Sequence, residues 1–218
     1  MNIMSNENIG GVARTIVLDR MAADFVKEHP DATVINIACG MDTRFYRVDN
    51  GKIRWYNIDL PVTMEVRKKY IKENERVTNI AASAMDESWT ERIQSVAGPV
   101  LVIVEGLSMY LAETDVKQIL SIIDRHFPQV TVFMEILNPK FVKKNVEKSI
   151  QQSGAVFTWG ARSGEELPKL CQAFRWQGDR SLVEGMVEIA PIYKIIGKTG
   201  AIRNLSNKIV VLTKDCKR

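Results

Sequence analysis

Four carboxylates stand at matching places in this sequence, each shortly after an apolar run of strand type. Asp42 follows Thr33–Ala38, Asp59 follows Ile53–Ile58, Asp86 follows Val77–Ala82, and Glu105 follows Pro99–Val104. In an open α/β sheet the ligand crevice lies beyond the carboxyl ends of the strands, where the strand order switches. Four acids gathered there suit a ligand rich in hydroxyls, amino groups and positive charge.

The loop after the first run, Ala38-Cys39-Gly40-Met41-Asp42-Thr43-Arg44, departs from a dinucleotide fingerprint. That fingerprint needs glycines at the positions of Ala38 and Thr43, and only Gly40 is present. Asp42 would also repel a pyrophosphate at the following helix N-terminus. It suits instead a ligand without phosphate, such as S-adenosylmethionine with its ammonium and sulfonium, or it serves as a helix N-cap. Asp59 lies 19 residues beyond Gly40, close to the spacing of about 20 at which a nucleotide-binding βαβ unit places its ribose carboxylate. A cap ahead of Pro61 is the other reading of Asp59. Asp86 suits an adenine amino group or an ordinary surface loop. Glu105 ends the most buried run, where a carboxylate needs a cation or hydrogen-bond donors.

Strands alternating with helical patterns would position these groups. Five strands are expected by Ile136, with helices over Pro61–Asn74 and from Glu113, the latter striped by Val116, Ile119, Leu120, Ile123 and Phe127. Leu18, Met21, Ala22 and Phe25 stripe an N-terminal helix, expected over about residues 10–30. Such alternation predicts a doubly wound α/β fold with a mostly parallel sheet. Later the rhythm changes. Helix is expected over Pro139–Gln152 and Glu165–Cys171, then strand over Phe174–Val183, a helical insertion, and a last strand over Lys208–Thr213. The two late strands predict a terminal antiparallel hairpin. One domain over residues 1–218 is expected, with a lid or acceptor region near 139–162.

Composition narrows the class. With 45% hydrophobic and 26% charged residues, the 218-residue chain is globular in character, and its net charge of +4 is mildly basic. The basic cluster Arg67-Lys68-Lys69 reads as a solvated helix face rather than a nucleic-acid patch. Cys39, Cys171 and Cys216 have neither disulfide-framework nor zinc spacing. With no signal-peptide pattern and no membrane-spanning run, a cytoplasmic location is expected.

Three linked motifs carry a family resemblance. Asn36 to Arg44, Trp55-Tyr56-Asn57-Ile58-Asp59-Leu60-Pro61, and Val104-Glu105-Gly106-Leu107-Ser108-Met109-Tyr110-Leu111 resemble the leucine carboxyl methyltransferase family, in particular its bacterial branch similar to polyketide O-methyltransferases. The resemblance implies a class I, Rossmann-like seven-stranded methyltransferase that uses S-adenosylmethionine and releases S-adenosylhomocysteine. It implies that Arg14 holds the cofactor carboxylate and that Ala38, Cys39 and Gly40 line the methionine moiety. Asp59 would then meet ribose, Asp86 adenine and Glu105 the amino-acid end, with Leu60 and Met85 also in the cofactor site. Ala38 departs from the family's usual glycine, and its methyl is expected to tighten the pocket. The chain ahead of Arg14 is short, so a long N-terminal lid is expected to be missing.

Methyl transfer from a sulfonium is an in-line displacement that needs alignment and exclusion of water more than acid–base help. His29 and His126 read as structural or surface residues, and the lack of a convincing base tilts the expectation to a carboxylate or acidic hydroxyl. Arg44, Tyr110, Trp159 and Arg162 are the acceptor-site candidates. The expected partner is a small-molecule acceptor. A non-catalytic cofactor-binding protein and a nucleotide-dependent oxidoreductase are the rival classes.

Overall fold

The computed structural model describes residues 6–94, 98–142, 155–190, 193 and 206–215. Its elements in chain order are α1 (Asn6–Glu28), β1 (Thr33–Ile37), α2 (Phe45–Val48), β2 (Arg54–Asp59), α3 (Pro61–Tyr70), β3 (Val77–Ala81) and β4 (Val100–Val104). Then follow α4 (Glu113–His126), β5 (Val130–Ile136), β6 (Arg175–Ser181), α5 (Val183–Ile189) and β7 (Lys208–Lys214). The seven strands form one sheet in the order β3-β2-β1-β4-β5-β7-β6. β1 to β5 pair in parallel, while β7 runs antiparallel between β5 and β6. The expected mixed, doubly wound sheet and its closing antiparallel pair are thus present.

The apolar runs become strands because both faces of the sheet are covered. Along β4, Leu101 and Ile103 join the cluster built on Leu18, Ala22 and Phe25 of α1. Val100, Val102 and Val104 turn to the opposite side, against Trp89 and the Val116, Ile119, Leu120, Ile123 stripe of α4. This alternation of period two fixes the register, since a slip of one residue would exchange the two faces.

Between β1 and β4 the strand order reverses, because the chain steps outward through β2 and β3 before returning. That switch point opens a crevice at the carboxyl ends of both strands.

α5 lies on α1 by virtue of Gly185, where a Cβ would fall 2.2 Å from the Ala13 carbonyl oxygen. An ion pair between Arg20 and Glu188 ties the same helices at the surface. α5 therefore packs on the helix that carries Arg14.

Several expectations need correction. The helix after β2 ends at Tyr70 rather than Asn74. The segment near Glu165 is a 3-10 helix over Gly164–Lys169, with Pro168 inside it. The helix expected over Pro139–Gln152 opens as a 3-10 turn, Pro139–Phe141, and residues 143–154 lie outside the described residues. Arg67 does not lie on a solvated face. It is buried, with Nε donating to Asn79 Oδ1 at 3.2 Å and Nη1 to the Gly40 carbonyl at 2.9 Å.

Candidate functional site

At the end of β1 the chain must turn sharply to clear the sheet. Ala38 adopts φ 54° and Gly40 φ 49°, both in the left-handed region that glycine enters freely and alanine does not. Position 38 therefore has a backbone that glycine would meet without cost, and Ala38 holds the turn under strain. Asp59, one strand over, latches it: Oδ2 accepts from Gly40 N–H and Oδ1 from Leu60 N–H, each at 2.7 Å. Arg67 grips the Gly40 carbonyl from the other side. Asp59 thus faces the crevice with its orientation fixed and with further lone pairs on each oxygen.

Beside this latch is a cavity of about 170 Å³ walled by Ala38, Asp59, Leu60 and Met85, with Leu107 and Leu111 opposite. Ala82, Ser83 and Ala84 form its floor. Four of the expected cofactor residues meet here. Asp86 stands next to the cavity, exposed, and its carboxylate caps the following 3-10 helix through Ser88 N–H at 3.0 Å. A larger groove, about 620 Å³, lies at the amino ends of the parallel strands between Asp124, Pro128, Arg175 and Lys214. It lies at the end of the sheet opposite the motif loops, so the smaller cavity is the site its chemistry supports.

The other half of the crevice is ionic. Arg14 comes from α1 with Nε 2.7 Å from Glu105 Oε1 and Nη1 3.2 Å from Glu135 Oε2. The Nε–H is not aimed along its short contact, and Nε makes no hydrogen bond. Burial works against the Arg14 charge, but Glu135 and Glu105 outweigh it and hold its pKa above the ordinary value. Arg44, 1% exposed, meets Asp19 at 2.8 Å, Asp42 at 2.8 Å and Glu105 at 2.7 Å. Arg47 adds ion pairs to Asp19 and Asp42. Three guanidinium groups thus face the four carboxylates of Asp19, Asp42, Glu105 and Glu135. That balance favours a further cation over an anion such as pyrophosphate.

This geometry redistributes the expected roles. Both oxygens of Asp42 are used within the protein, by Arg44 N–H at 2.9 Å, Asn36 Nδ2 at 2.9 Å and the Arg44 guanidinium. Asp42 is therefore bound into the turn ahead of α2, although the N-cap of that helix is Arg44 and no side chain caps it. Cys39 is buried, and burial pushes its thiol pKa up to about 12.

Among the acceptor candidates, Arg44 is corrected to a buried ionic hub: its whole side chain is spent on three carboxylates. Trp159 is corrected to a core residue, buried and with Nε1 3.3 Å from Glu113 Oε2. Arg162 is exposed. Tyr110 stays at the rim, its ring centroid 5.4 Å from that of Phe157. There the chain returning from residue 155 packs Phe157 on Met109 and Leu137 beyond the ends of β4 and β5. His29 packs on Phe25 at the end of α1, and His126 pairs with Glu87 at the far end of α4. Both stand away from the crevice. No cluster of metal-ligating side chains is found among the described residues, and none of their helices is long and apolar enough to cross a membrane.

Sequence reasoning missed Arg67 and Glu135. Glu135 was detectable as the lone acid within the apolar run Val130–Ile136. Arg67 carried no such signal, because its neighbours Lys68 and Lys69 are exposed.

Comparison with known proteins gives this site a context. The sequence profile of the leucine carboxyl methyltransferase family matches residues 4–124. The tetracenomycin polyketide synthesis O-methyltransferase TcmP of Streptomyces glaucescens is 31% identical over 83% of this chain and 68% of its own length. The S-adenosyl-L-methionine-dependent methyltransferase dpfgK of Gibberella zeae is 28% identical over 71% of this chain and 57% of its own. This chain thus spans between half and about two thirds of those relatives. Magnesium protoporphyrin IX methyltransferase of Synechocystis PCC 6803, solved with bound SAM, shares the fold at a TM-score of 0.60 and 8% identity, covering 99% of this chain and 86% of its own. The chain belongs to the leucine carboxyl methyltransferase family, a family of S-adenosylmethionine-dependent methyltransferases, and has the class I methyltransferase fold.

Proposed function

We propose that the protein transfers a methyl group from S-adenosylmethionine to an oxygen of a small molecule, a carboxylate or an acidic hydroxyl. The observation that carries this reading is the two-part crevice: an apolar cavity latched by Asp59 beside an ionic cluster containing Arg14 and Glu105. The residues present fit the cofactor. Asp59 has lone pairs directed at the crevice for ribose hydroxyls. Arg14 has a buried Nε without a hydrogen bond and an Nη2 that donates to no described residue. Glu105, only partly buried, offers negative charge to an ammonium. Met85, Leu107 and Leu111 supply apolar walls for a flat base.

Bound there, S-adenosylmethionine supplies a methyl group already activated by its sulfonium. The protein's own work is then to bind, orient and exclude water. Asp59 fixes the nucleoside end and, through Gly40, the turn that faces the methionine end. Arg14 and Glu105 form a pair of opposite charges matched to an amino acid. Tyr110, whose ring packs on Phe157, is the candidate for the acceptor side. A carboxylate needs no base at neutral pH, consistent with histidines that stand apart from this crevice.

Similarity to TcmP, named for polyketide synthesis, favours an acceptor of that chemical kind. The test is an assay of product formation with a panel of aromatic acids and phenols, following S-adenosylhomocysteine by mass spectrometry. Methylation on oxygen of at least one acceptor is expected. Cofactor binding with no turnover on any panel member would favour a non-catalytic binding protein.

A further inference from the structure

Glu135 is buried at the carboxyl end of an otherwise apolar strand, one residue before β5 ends, and nothing in the proposed reaction uses it. Its surroundings are all donors. Oε2 accepts from Gly106 N–H at 2.9 Å and from Arg14 Nη1 at 3.2 Å, while Oε1 accepts from Asn207 Nδ2 at 2.9 Å. Three donors on two oxygens, one of them a guanidinium, suit an ionised carboxylate, while burial pushes the Glu135 pKa up. A carboxylate kept dry at this depth is expensive unless it is bonded in this way.

The consequence lies in Arg14. Its guanidinium is flat and rigid, so the directions of its nitrogens are linked. Glu105 holds the Nε side and Glu135 holds Nη1. With Nη1 hydrogen-bonded to Glu135 and Nε in ionic contact with Glu105, the third nitrogen, Nη2, has a restricted aim. Gly106 belongs to the same arrangement: its φ of 66° turns its N–H onto Glu135, and a Cβ there would lie 3.6 Å from Arg14 Nη1. Asn207, just ahead of β7, holds the opposite edge of the carboxylate. That residue is thereby tied, through Glu135, to the arginine.

We propose that Glu135 is a positioning residue for cofactor binding: with Asn207 it orients the Arg14 guanidinium so that one nitrogen is presented to the amino-acid carboxylate of the cofactor. This rests on the cofactor reading above and extends it to a second layer of the site. Without Glu135, Arg14 would close onto Glu105 with both of its inner nitrogens. That would withdraw the guanidinium from the ligand and occupy the oxygens an ammonium needs.

The test compares two ligands by calorimetry, S-adenosylhomocysteine and 5′-methylthioadenosine, which has the nucleoside but no amino-acid group. Glu135→Leu is expected to weaken S-adenosylhomocysteine binding about tenfold or more, the scale of a misplaced charge-assisted hydrogen bond. Binding of methylthioadenosine should stay within about twofold. Glu135→Gln keeps an acceptor oxygen, and Asn207 can turn its amide to match, so this variant should recover most of the loss. Equal losses for both ligands, or wild-type S-adenosylhomocysteine affinity in folded Glu135→Leu, would overturn the positioning role. Should Glu135→Leu not fold, Asn207→Ala carries the same comparison, with a selective loss of about threefold expected and none overturning the role. A wild-type protein that binds neither ligand would instead overturn the cofactor reading on which this rests.

Discussion

Replacing Asp59 separates two jobs that one carboxylate performs. In the protein without ligand its oxygens hold the Gly40 and Leu60 N–H groups, each at 2.7 Å. A hydrogen bond to a charged group contributes about 1.5–3 kcal/mol when buried. Asp59 is only partly buried, so water can take over some of this, and Asp59→Ala should lower stability by about 2 kcal/mol in total. The loss in binding is a separate quantity. With bonds to ribose gone and the Gly40 turn loosened, S-adenosylhomocysteine affinity should fall by about 1–3 kcal/mol, or roughly 5- to 150-fold. Asp59→Asn keeps one acceptor oxygen but turns its amide hydrogens toward one of the two N–H groups, so it should fall between wild type and alanine on both scales. Urea unfolding gives the first quantity and calorimetric titration at a temperature where each variant is folded gives the second. Wild-type affinity in a folded Asp59→Ala protein would refute the ribose role, and unchanged stability would refute the latch.

The remaining predictions concern the surroundings of the site. Arg44→Met leaves Asp19, Asp42 and Glu105 without their shared cation and should destabilise the fold by about 3 kcal/mol or more in urea unfolding; a loss below about 1 kcal/mol would contradict its place as the hub. At Ala38, with φ 54°, glycine relieves about 1 kcal/mol of backbone strain and costs nearly as much in chain entropy, leaving stability almost unchanged. Ala38→Val, branched at Cβ in the same conformation, should cost about 2 kcal/mol by thermal or urea unfolding. Burial pushes the Cys39 thiol up to about 12, so peptide mapping after iodoacetamide treatment at mildly alkaline pH should find Cys39 unmodified while the protein is folded and modified once urea unfolds it. Equal labelling in both states would contradict its burial.

How far the sequence foretold this arrangement differs from element to element. β4 was legible because both of its faces are covered, so Val100–Val104 is apolar throughout and needed no period to be recognised. α4 was legible for the opposite reason, one buried stripe on an otherwise polar helix. The motifs after these strands located Asp59 and Glu105 because topology alone brings strand ends to one crevice. Charged side chains that fold inward were less legible. Arg44 reads as an acceptor-site candidate and Arg67 as part of a basic surface cluster, and only the tertiary fold sets carboxylates and a carbonyl around them. Asp42 was read both as a ligand contact and as a cap, but the N-cap of α2 is Arg44, and Asp42 is bonded instead to Asn36 of the preceding strand and to Arg44. Trp159 was proposed for the acceptor side because aromatic residues suit both roles; its burial against the α4 face follows from how the chain returns after residue 155.

The most direct test of the central claim is calorimetric titration of the wild-type protein with S-adenosylmethionine and S-adenosylhomocysteine, with NADH as the control. The crevice described here predicts saturable one-to-one binding of the first two and none of NADH, whose pyrophosphate would meet the carboxylates around Arg14. Tight binding of NADH, or no binding of either sulfur nucleoside, would contradict the assignment of this crevice to S-adenosylmethionine.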